Sequence, residues 1–540
     1  MENKAICGFI ISGISLSPDT DEREACSIAA NELKRAGINP ARIRFSIYKK
    51  SVDARRKNDV RLVYSVAAKF EVPQNIKTPV IKKYRIAEML DGELDIQYGT
   101  QVSKYQPLVV GMGPAGLFCA LLLAENGYEP IIIDRGDSVS ERTKKYDAFF
   151  KFGILDVESN IQFGAGGAGT FSDGKLLTRI NDPKINYVLR RFCDFGAPEE
   201  ILTAAKPHIG TDLLLGVVEN ILSRIESLGG KVLYRTKLES LSEKADGTVC
   251  AHTTKGDILC SSLVLATGHS ARDTYEMLLK KGYMIEAKTF SVGVRIEHRR
   301  EDIDKSLYGN FAGHPKLGKG EYHLSDTTGE RGVYTFCMCP GGEVVAAASE
   351  EGGVVVNGMS RQARDGENSN SAIAVNVWQK DYDGTPMGAI EFQRNIERKA
   401  FLTGGADYSA PIQTVGDFLE GKSGSEPSQV FPTYRAGQVR VADMNNVLPD
   451  FICRELRRGI LSFDRKLAGF ASYSAILTGA ETRTSAPVRI MRNEEFLAIG
   501  RCSIYPCGEG AGYAGGITSA AIDGIRVAQK VMERNVYTIY

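Results

Sequence analysis

Residues Pro107 to Gly136 read PLVVGMGPAGLFCALLLAENGYEPIIIDRG, and the rest of the chain is organised around them. A short apolar run, Leu108–Val110, leads into Gly111, Gly113 and Gly116 in G-x-G-x-x-G spacing. An apolar helix pattern follows to about Glu125, with Gly127 as its stop. A second short strand, Ile131–Ile133, ends on Asp134. This strand–turn–helix–strand order, with an acid eighteen residues beyond Gly116, is the context a dinucleotide site requires. Gly111 permits the tight turn, Gly113 lets the backbone approach a pyrophosphate, and Gly116 lets helix and strand pack closely. The pyrophosphate would rest on free N–H groups at the helix start, and Asp134 would bond a ribose hydroxyl pair. The stretch Tyr105–Ala124 is uncharged over 20 residues, about the length of a membrane span. Its centre, crowded by the three glycines and Pro114, excludes that reading.

At 540 residues the chain is too long for one core, and two to four domains are expected. It carries 67 basic and 66 acidic residues, a net charge of +1, which gives no ground for a nucleic-acid or anionic-membrane partner. Eleven cysteines are too sparse for a disulfide scaffold, so a reducing, cytoplasmic setting is expected. The N-terminal apolar run Ala5–Ile14 has only Lys4 before it and no small-residue cleavage pattern after it, unlike an export signal.

Residues 1–75 read as a small α+β domain. Phe9–Leu16, a helix from Glu22 to Arg35, Ile43–Lys49 and Val60–Val66 follow in the order that begins a ferredoxin-like arrangement. The basic cluster between Lys49 and Arg61 reads as a solvated connection. Residues 76–104, with Pro79 and mixed charges, are expected to be a linker. A first nucleotide-binding part spans 105–284, a mixed α+β substrate or cap domain 285–485, and a returning nucleotide-binding part 486–540.

Three further stretches look designed for a ligand. Residues Ile161–Lys175 hold five glycines within Gly164–Gly174, a loop with little side-chain bulk where a flat ligand can lie close to main-chain amides. The apolar strand Leu263–Leu265 ends on Ala266-Thr267-Gly268, placing small residues at a strand's C-terminal end. Ser503–Gly512 is a strand running into an acid among glycines, Gly508-Glu509-Gly510, before Gly515-Gly516-Ile517 opens a last helix whose amides carry partial positive charge. In the second domain Cys337 and Cys339 are two apart and would face one side of a regular strand. No second pair completes a metal site, so no metal is expected. A redox or substrate-touching role stands beside the simpler reading of two buried, inert thiols.

These pieces occur in the order of a known family. GMGPAG with Asp134-Arg135-Gly136, LATG, and PCGEGAGYAGG before the last helix resemble the FAD-dependent oxidoreductases of the glutathione-reductase-like class. Gly166–Lys175 (GGAGTFSDGK), Ala266–Asp273 (ATGHSARD), Cys337–Gly342 (CMCPGG) and Thr478–Ile490 resemble, more closely, the bacterial FAD-dependent dehydrogenase family. Where that family's first glycine block carries an acid, this chain has Ala165. The resemblance implies bound FAD and an α/β fold: a Rossmann-like domain, its parallel sheet accompanied by a β-meander, interleaved with a mixed α+β domain. No second nicotinamide fingerprint is present, nor a C-x-x-x-x-C pair directly after the first. NAD(P)H as a transient donor, or a substrate, would therefore reach the flavin directly.

The expectation is an FAD-dependent oxidoreductase working at flavin N5 on a small molecule, an anionic one if an arginine faces the flavin. The cofactor's own chemistry is bound, oriented and tuned by the protein. Cofactor contacts are expected from Gly111, Gly113, Pro114, Ala115, Gly116, Asp134 and Arg135, from Gly166, Gly167, Ala168, Thr267 and Gly268, and from Gly508, Glu509, Gly516 and Ile517. His269 is the expected acid–base group because imidazole titrates near neutrality. Arg295, Cys337 and Cys339 complete the catalytic candidates, with Arg272, Arg483 and Tyr513 as further substrate-side residues. The alternatives are a flavin monooxygenase-type enzyme and a non-enzymatic flavoprotein with a binding role.

Overall fold

The computed structural model describes residues 6–74, 76–81, 83–89 and 94–536. Lys4 and Ala5, named above, lie outside the described residues. The apolar run beyond them is a strand, Ile6–Leu16.

The N-terminal unit is a four-stranded antiparallel sheet ordered Ile43–Asp53, Arg61–Gln74, Ile6–Leu16, Arg85–Met89. The helix Arg23–Arg35 repeats small and apolar residues every turn, and Ala25, Ala29 and Leu33 bury against the sheet. The strand, helix, strand, strand order expected from the sequence is present, and the sheet order with all pairs antiparallel is that of a ferredoxin-like unit, without a second helix among the described residues between Gln74 and Arg85. One expectation is corrected here. Two described stretches of 76–104, expected to be a linker, pair in sheets instead. Arg85–Met89 completes the first sheet, because its backbone groups find the free edge of Ile6–Leu16. Gln101–Val102 pairs in parallel with Asn535–Val536 near the C-terminus.

The nucleotide-binding part is a five-stranded parallel sheet ordered Ile504–Pro506, Leu263–Leu265, Leu108–Val110, Ile131–Ile133, Lys231–Leu233. The central strands are buried on both faces. Val109, Ile132 and Val264 point into a core shared with the helices Pro114–Glu125, Thr211–Ser227 and Ile517–Arg534. Leu108, Val110, Leu263 and Leu265 point to the other face, covered by the meander Leu238–Glu243, Val249–Thr253 and Gly256–Cys260. The helix Pro114–Glu125 is buried from Ala115 to Ala124, so its lack of charge serves a core position. Among the described residues no helix is long and apolar enough to cross a membrane.

The second domain is built on a seven-stranded sheet ordered Ser325–Asp326, Val333–Cys339, Asn368–Val377, Phe290–Arg299, Ile476–Glu481, Ala410–Thr414, Val439–Val441. Its pairs are antiparallel except the last. Where the chain leaves and returns to the nucleotide-binding part, Ile285–Ala287 pairs with Val488–Ile490 and stitches the crossover.

Candidate functional site

A cavity of about 310 Å³ opens where the strands Leu108–Val110 and Leu263–Leu265 end. Its walls come from the fingerprint turn, the second glycine cluster, the loop after Leu265, the start of the last helix, and the second domain's strand Val333–Cys339. Its lining includes Asp134 from the nucleotide-binding part and Cys337 from the second domain.

The fingerprint glycines divide as their spacing predicts. Gly111 has φ +108°, and a Cβ there would stand 2.3 Å from the Ala266 carbonyl oxygen. A Cβ on Gly116 would be 1.9 Å from the Gly111 carbonyl oxygen, so this glycine packs helix to strand and does not line the cavity. A Cβ on Gly113 would meet only the Gly167 Cα, at 3.9 Å, with the cavity in front of it. Gly268, Gly515 and Gly516 also line the cavity, and a Cβ on any of them would meet nothing within 4 Å. Neither the helix at Pro114 nor the helix at Ile517 has an acidic residue in its first turn. Two helix starts with unopposed N–H groups, facing space kept open by glycine, fit an anionic, flat dinucleotide cofactor.

The second glycine cluster is held in shape by a residue the sequence reading missed. Arg142 is fully buried, and its guanidinium donates to the carbonyl oxygens of Asn160 (2.8 Å), Ile161 (2.6 Å), Ala165 (2.6 Å) and Gly167 (2.8 Å). Its helix, Val139–Phe152, buries Val139, Arg142, Tyr146 and Phe149. An arginine in an otherwise apolar i, i+3, i+7 series was the available signal. Gly166 donates from its N–H to Met112 O at 2.8 Å, tying the cluster to the fingerprint, but does not line the cavity. Gly167 and Ala168 do.

Asp134 lines the cavity, and its carboxylate oxygens also accept the backbone N–H groups of Met112 (2.9 Å), Gly136 (2.8 Å) and Gly164 (2.9 Å). It is first a staple across three loops, because buried amides must find acceptors. Arg135 also lines the cavity, stacked on Phe163 and paired with Glu158 (2.5 Å) and, through both oxygens, Asp273 (2.9 and 2.7 Å).

Four further expectations change. Arg295 is fully buried and does not line the cavity. It donates to Glu481 (2.8 Å), Asn370 (2.7 Å), Asn357 (2.9 Å) and Cys337 O (3.0 Å), so it supports the wall from behind. Arg272 is likewise buried off the cavity, in ion pairs with Glu350 and Glu397. Tyr513 lies outside the lining and packs under Arg492. Gly508, also outside it, donates to Asp523 at 2.7 Å. Arg483 does reach the cavity, with its charge matched by Glu397 at 3.0 Å.

His269 lines the cavity, but it is not the group that titrates near neutrality. Burial, reinforced by the Arg483 and Arg272 charges, lowers its pKa to about 3 and keeps the imidazole neutral. Glu509, whose carboxylate lies 4.0 Å from His269 Nε2, takes that place. Burial raises its pKa to about 7, with Lys288 only partly opposing.

The two cysteines do not share an environment. The ladder between Val333–Cys339 and Asn368–Val377 shifts register between Phe336 and Cys339, and Cys337 sits at φ +43°. Non-glycine residues rarely adopt that conformation. The irregularity brings Cys337 to the cavity and leaves Cys339 buried off it. A hydrogen bond from Cys339, outweighing burial and joined by the charges of Arg295 and Lys175, lowers the Cys337 pKa below that of an ordinary thiol. The Cys339 thiol is pushed up by the same hydrogen bond and by burial. Lys175 is anchored by Glu321 at 3.1 Å and by Met338 O.

Parallel sheet, meander, fingerprint and glycine-lined cavity together define a dinucleotide-binding flavoprotein architecture. Residues 289–484 match the FAD-dependent protein C-terminal domain, and residues 10–69 match a domain of unknown function. An uncharacterized protein of Clostridium beijerinckii is 47% identical over 533 residues, covering 97% of this chain and 98% of that one. The chain belongs to the same family as that Clostridium protein, an FAD-dependent family, and FAD is its cofactor. A ribosomal RNA dihydrouridine synthase of Haemophilus influenzae is 23% identical over 184 residues, 31% of this chain and 41% of that protein. Among solved structures, the halogenase PltM aligns over 79% of this chain and 68% of its own at 11% identity, with a TM-score of 0.36. CtdE in complex with FAD aligns over 80% of this chain and 87% of its own at 9% identity, with a TM-score of 0.30.

Proposed function

We propose that this chain is an FAD-dependent reductase of the dehydrogenase type, taking a hydride from NAD(P)H and passing it to a small-molecule substrate beside Cys337 in the cavity. The observation that carries this reading is the make-up of the wall. The cavity that begins at the dinucleotide fingerprint is also lined by a strand of the second domain, and in its lining burial brings the Glu509 carboxyl to about 7 while the Cys337 thiol gives up its proton more readily than an ordinary thiol.

When bound, FAD supplies two-electron hydride chemistry at its ring. The protein's part follows from its own residues. The helix starts at Pro114 and Ile517 offer N–H groups to negative charge. Gly113 and Gly167 would let main chain approach the diphosphate, and Asp134 and Arg135 would hold the adenosine side. Phe336 and Asn357, from the second domain, also line the cavity and would face a substrate. Glu509 can give or take a proton at its carboxylate in the working pH range, and Cys337 can do so at its thiol. His269 offers a hydrogen bond from a neutral ring. With Arg295 behind the wall and Arg483 paired, support for an anionic substrate is reduced to Lys175 and Arg483, both already matched by carboxylates. We therefore favour an uncharged or singly charged one. The eleven cysteines are all free, which supports a reducing, cytoplasmic setting.

The test is to follow the flavin spectrum anaerobically while NADH and then NADPH are added. Rapid bleaching by one of them is expected. Flavin that stays oxidised with both overturns the NAD(P)H-dependent reading. A second reading, reduction of a pyrimidine C=C bond, is supported by the partial likeness to the Haemophilus protein and by proton donors beside the hydride site. Its signature is dihydrouridine formed in added RNA.

A further inference from the structure

The meander carries a group of side chains that the cofactor cavity does not use. We infer that Cys250, His252 and Asp257 form a three-ligand site for a zinc-type divalent cation. The motif is C-x-H-x-x-x-x-D. Strand geometry puts Cys250 and His252 on one face, because side chains alternate with a period of two. Across the hairpin, His252 pairs directly with Asp257, which therefore shares that face. The turn between the two strands is Thr254-Lys255, so the site is assembled locally.

The distances suit one ion. His252 Nδ1 lies 2.8 Å from Asp257 Oδ1, Cys250 Sγ lies 3.5 Å from Asp257 Oδ2, and Cys250 Sγ lies 3.9 Å from His252 Nδ1. Zinc bonds of about 2.0–2.3 Å at tetrahedral angles demand ligand separations of roughly 3.3–3.6 Å. Each observed separation is thus within about 0.6 Å of the demand, a shift that side-chain torsions supply. A His–Asp hydrogen bond by itself would explain the shortest distance, but it would not recruit a thiol to the same point. The donor set of thiolate, imidazole and carboxylate selects zinc or cobalt(II) over magnesium or calcium, which take oxygen ligands.

A supporting shell is also in place. His252 Nε2 lies 3.3 Å from Ser242 Oγ. A hydrogen bond from that nitrogen to the serine leaves Nδ1 free to ligate, the arrangement by which metal-bound imidazoles are oriented. The side chains of His252 and Asp257 are 40% and 60% exposed, which leaves a fourth position open to water. None of the three residues lines the cofactor cavity. Ser242 lies on the strand Leu238–Glu243, whose first residue does. A bound ion would thus clamp the hairpin to a strand that reaches the cavity wall.

The test uses the full-length flavin-loaded protein, stripped with a chelator and titrated with Co²⁺ alone. Saturable one-to-one binding with a thiolate-to-cobalt absorption band in the difference spectrum, displaced by Zn²⁺, is expected. Cys250→Ser should abolish the thiolate band, and Ser242→Ala should weaken binding about 10-fold. His252→Asn, at a half-exposed position, should weaken it without unfolding the protein. Cys502→Ser, at the exposed cysteine, should change nothing. No saturable binding, or a band that survives Cys250→Ser and His252→Asn, overturns the inference.

Discussion

Replacing Gly113 separates the cofactor's needs from those of the fold. Gly113 has φ −76° and ψ 179°, a conformation open to any residue. A Cβ there touches only Gly167 Cα, at 3.9 Å, which is ordinary contact. Gly113→Val therefore strains nothing in the protein itself. Its expected cost is a weaker N-cap on the helix Pro114–Glu125, about 1 kcal/mol. The valine methyls fill the space in front of the helix N–H groups, where the diphosphate must come. Flavin should be lost, and with it the ligand-linked stabilisation, about 2.7 kcal/mol for a protein bathed in cofactor at 100 times its dissociation constant. The assay is the flavin-to-protein absorbance ratio together with thermal melts of both proteins with and without added FAD. Flavin-free wild type and Gly113→Val should melt within a few degrees of each other, and only wild type should gain from FAD. Gly116→Ala is the control. Its Cβ would lie 1.9 Å from the Gly111 carbonyl oxygen, so the backbone must move, at about 1–3 kcal/mol or more, and the flavin-free protein itself should melt early. A Gly113→Val protein that keeps stoichiometric flavin would falsify the assignment of the fingerprint.

Glu509 holds its proton in the fold up to about pH 7, against an ordinary value of 4.5. Its contribution is therefore full at low pH and is lost as pH rises through that window, by at most about 3 kcal/mol. Glu509→Gln should flatten the melting temperature of flavin-free protein between these pH values and raise it at pH 8. Cys337 should alkylate with iodoacetamide at a midpoint below that of an ordinary thiol and ahead of Cys339, as read by peptide mass spectrometry. Cys339→Ala removes the main thiolate donor and should move that midpoint upward. Glu397 joins Arg272 and Arg483 in buried pairs, so Glu397→Ala should cost about 3–5 kcal/mol in denaturant melts. A cost under about 1 kcal/mol would mean the pairs are solvated. Arg142→Lys keeps the charge but not the forked donor, and should lower flavin loading while leaving the far-UV circular dichroism intact.

Much of the site is legible in the sequence. The fingerprint, the strand Leu263–Leu265 and the acid in Gly508-Glu509-Gly510 are local patterns whose backbone requirements are written in adjacent residues. The cavity-lining residues Gly113, Thr267, Glu509 and Gly516 follow from them. The errors share one cause, which is partner choice. Arg295 reads as a charge on a strand, and only the neighbouring strands show that Glu481, Asn370 and Asn357 consume it. His269 reads as a neutral-pH switch, and only burial beside Arg483 and Arg272 removes that role and passes it to Glu509. Residues 76–104 read as a linker because Pro79 and scattered charges mask Arg85–Met89, a strand whose pairing partner lies near the other end of the same unit.

The chain by itself therefore determined the α/β class, the order of its parts and the end of the parallel sheet at which a dinucleotide must lie. Glycine spacing and hydrophobic periodicity act over a few residues and need no distant partner. Tertiary structure alone decided which charged groups remain free, which thiol faces the cavity and which acid titrates near neutrality. Those properties depend on desolvation and on charges brought close from strands more than a hundred residues apart, as Arg295 and Glu481 are.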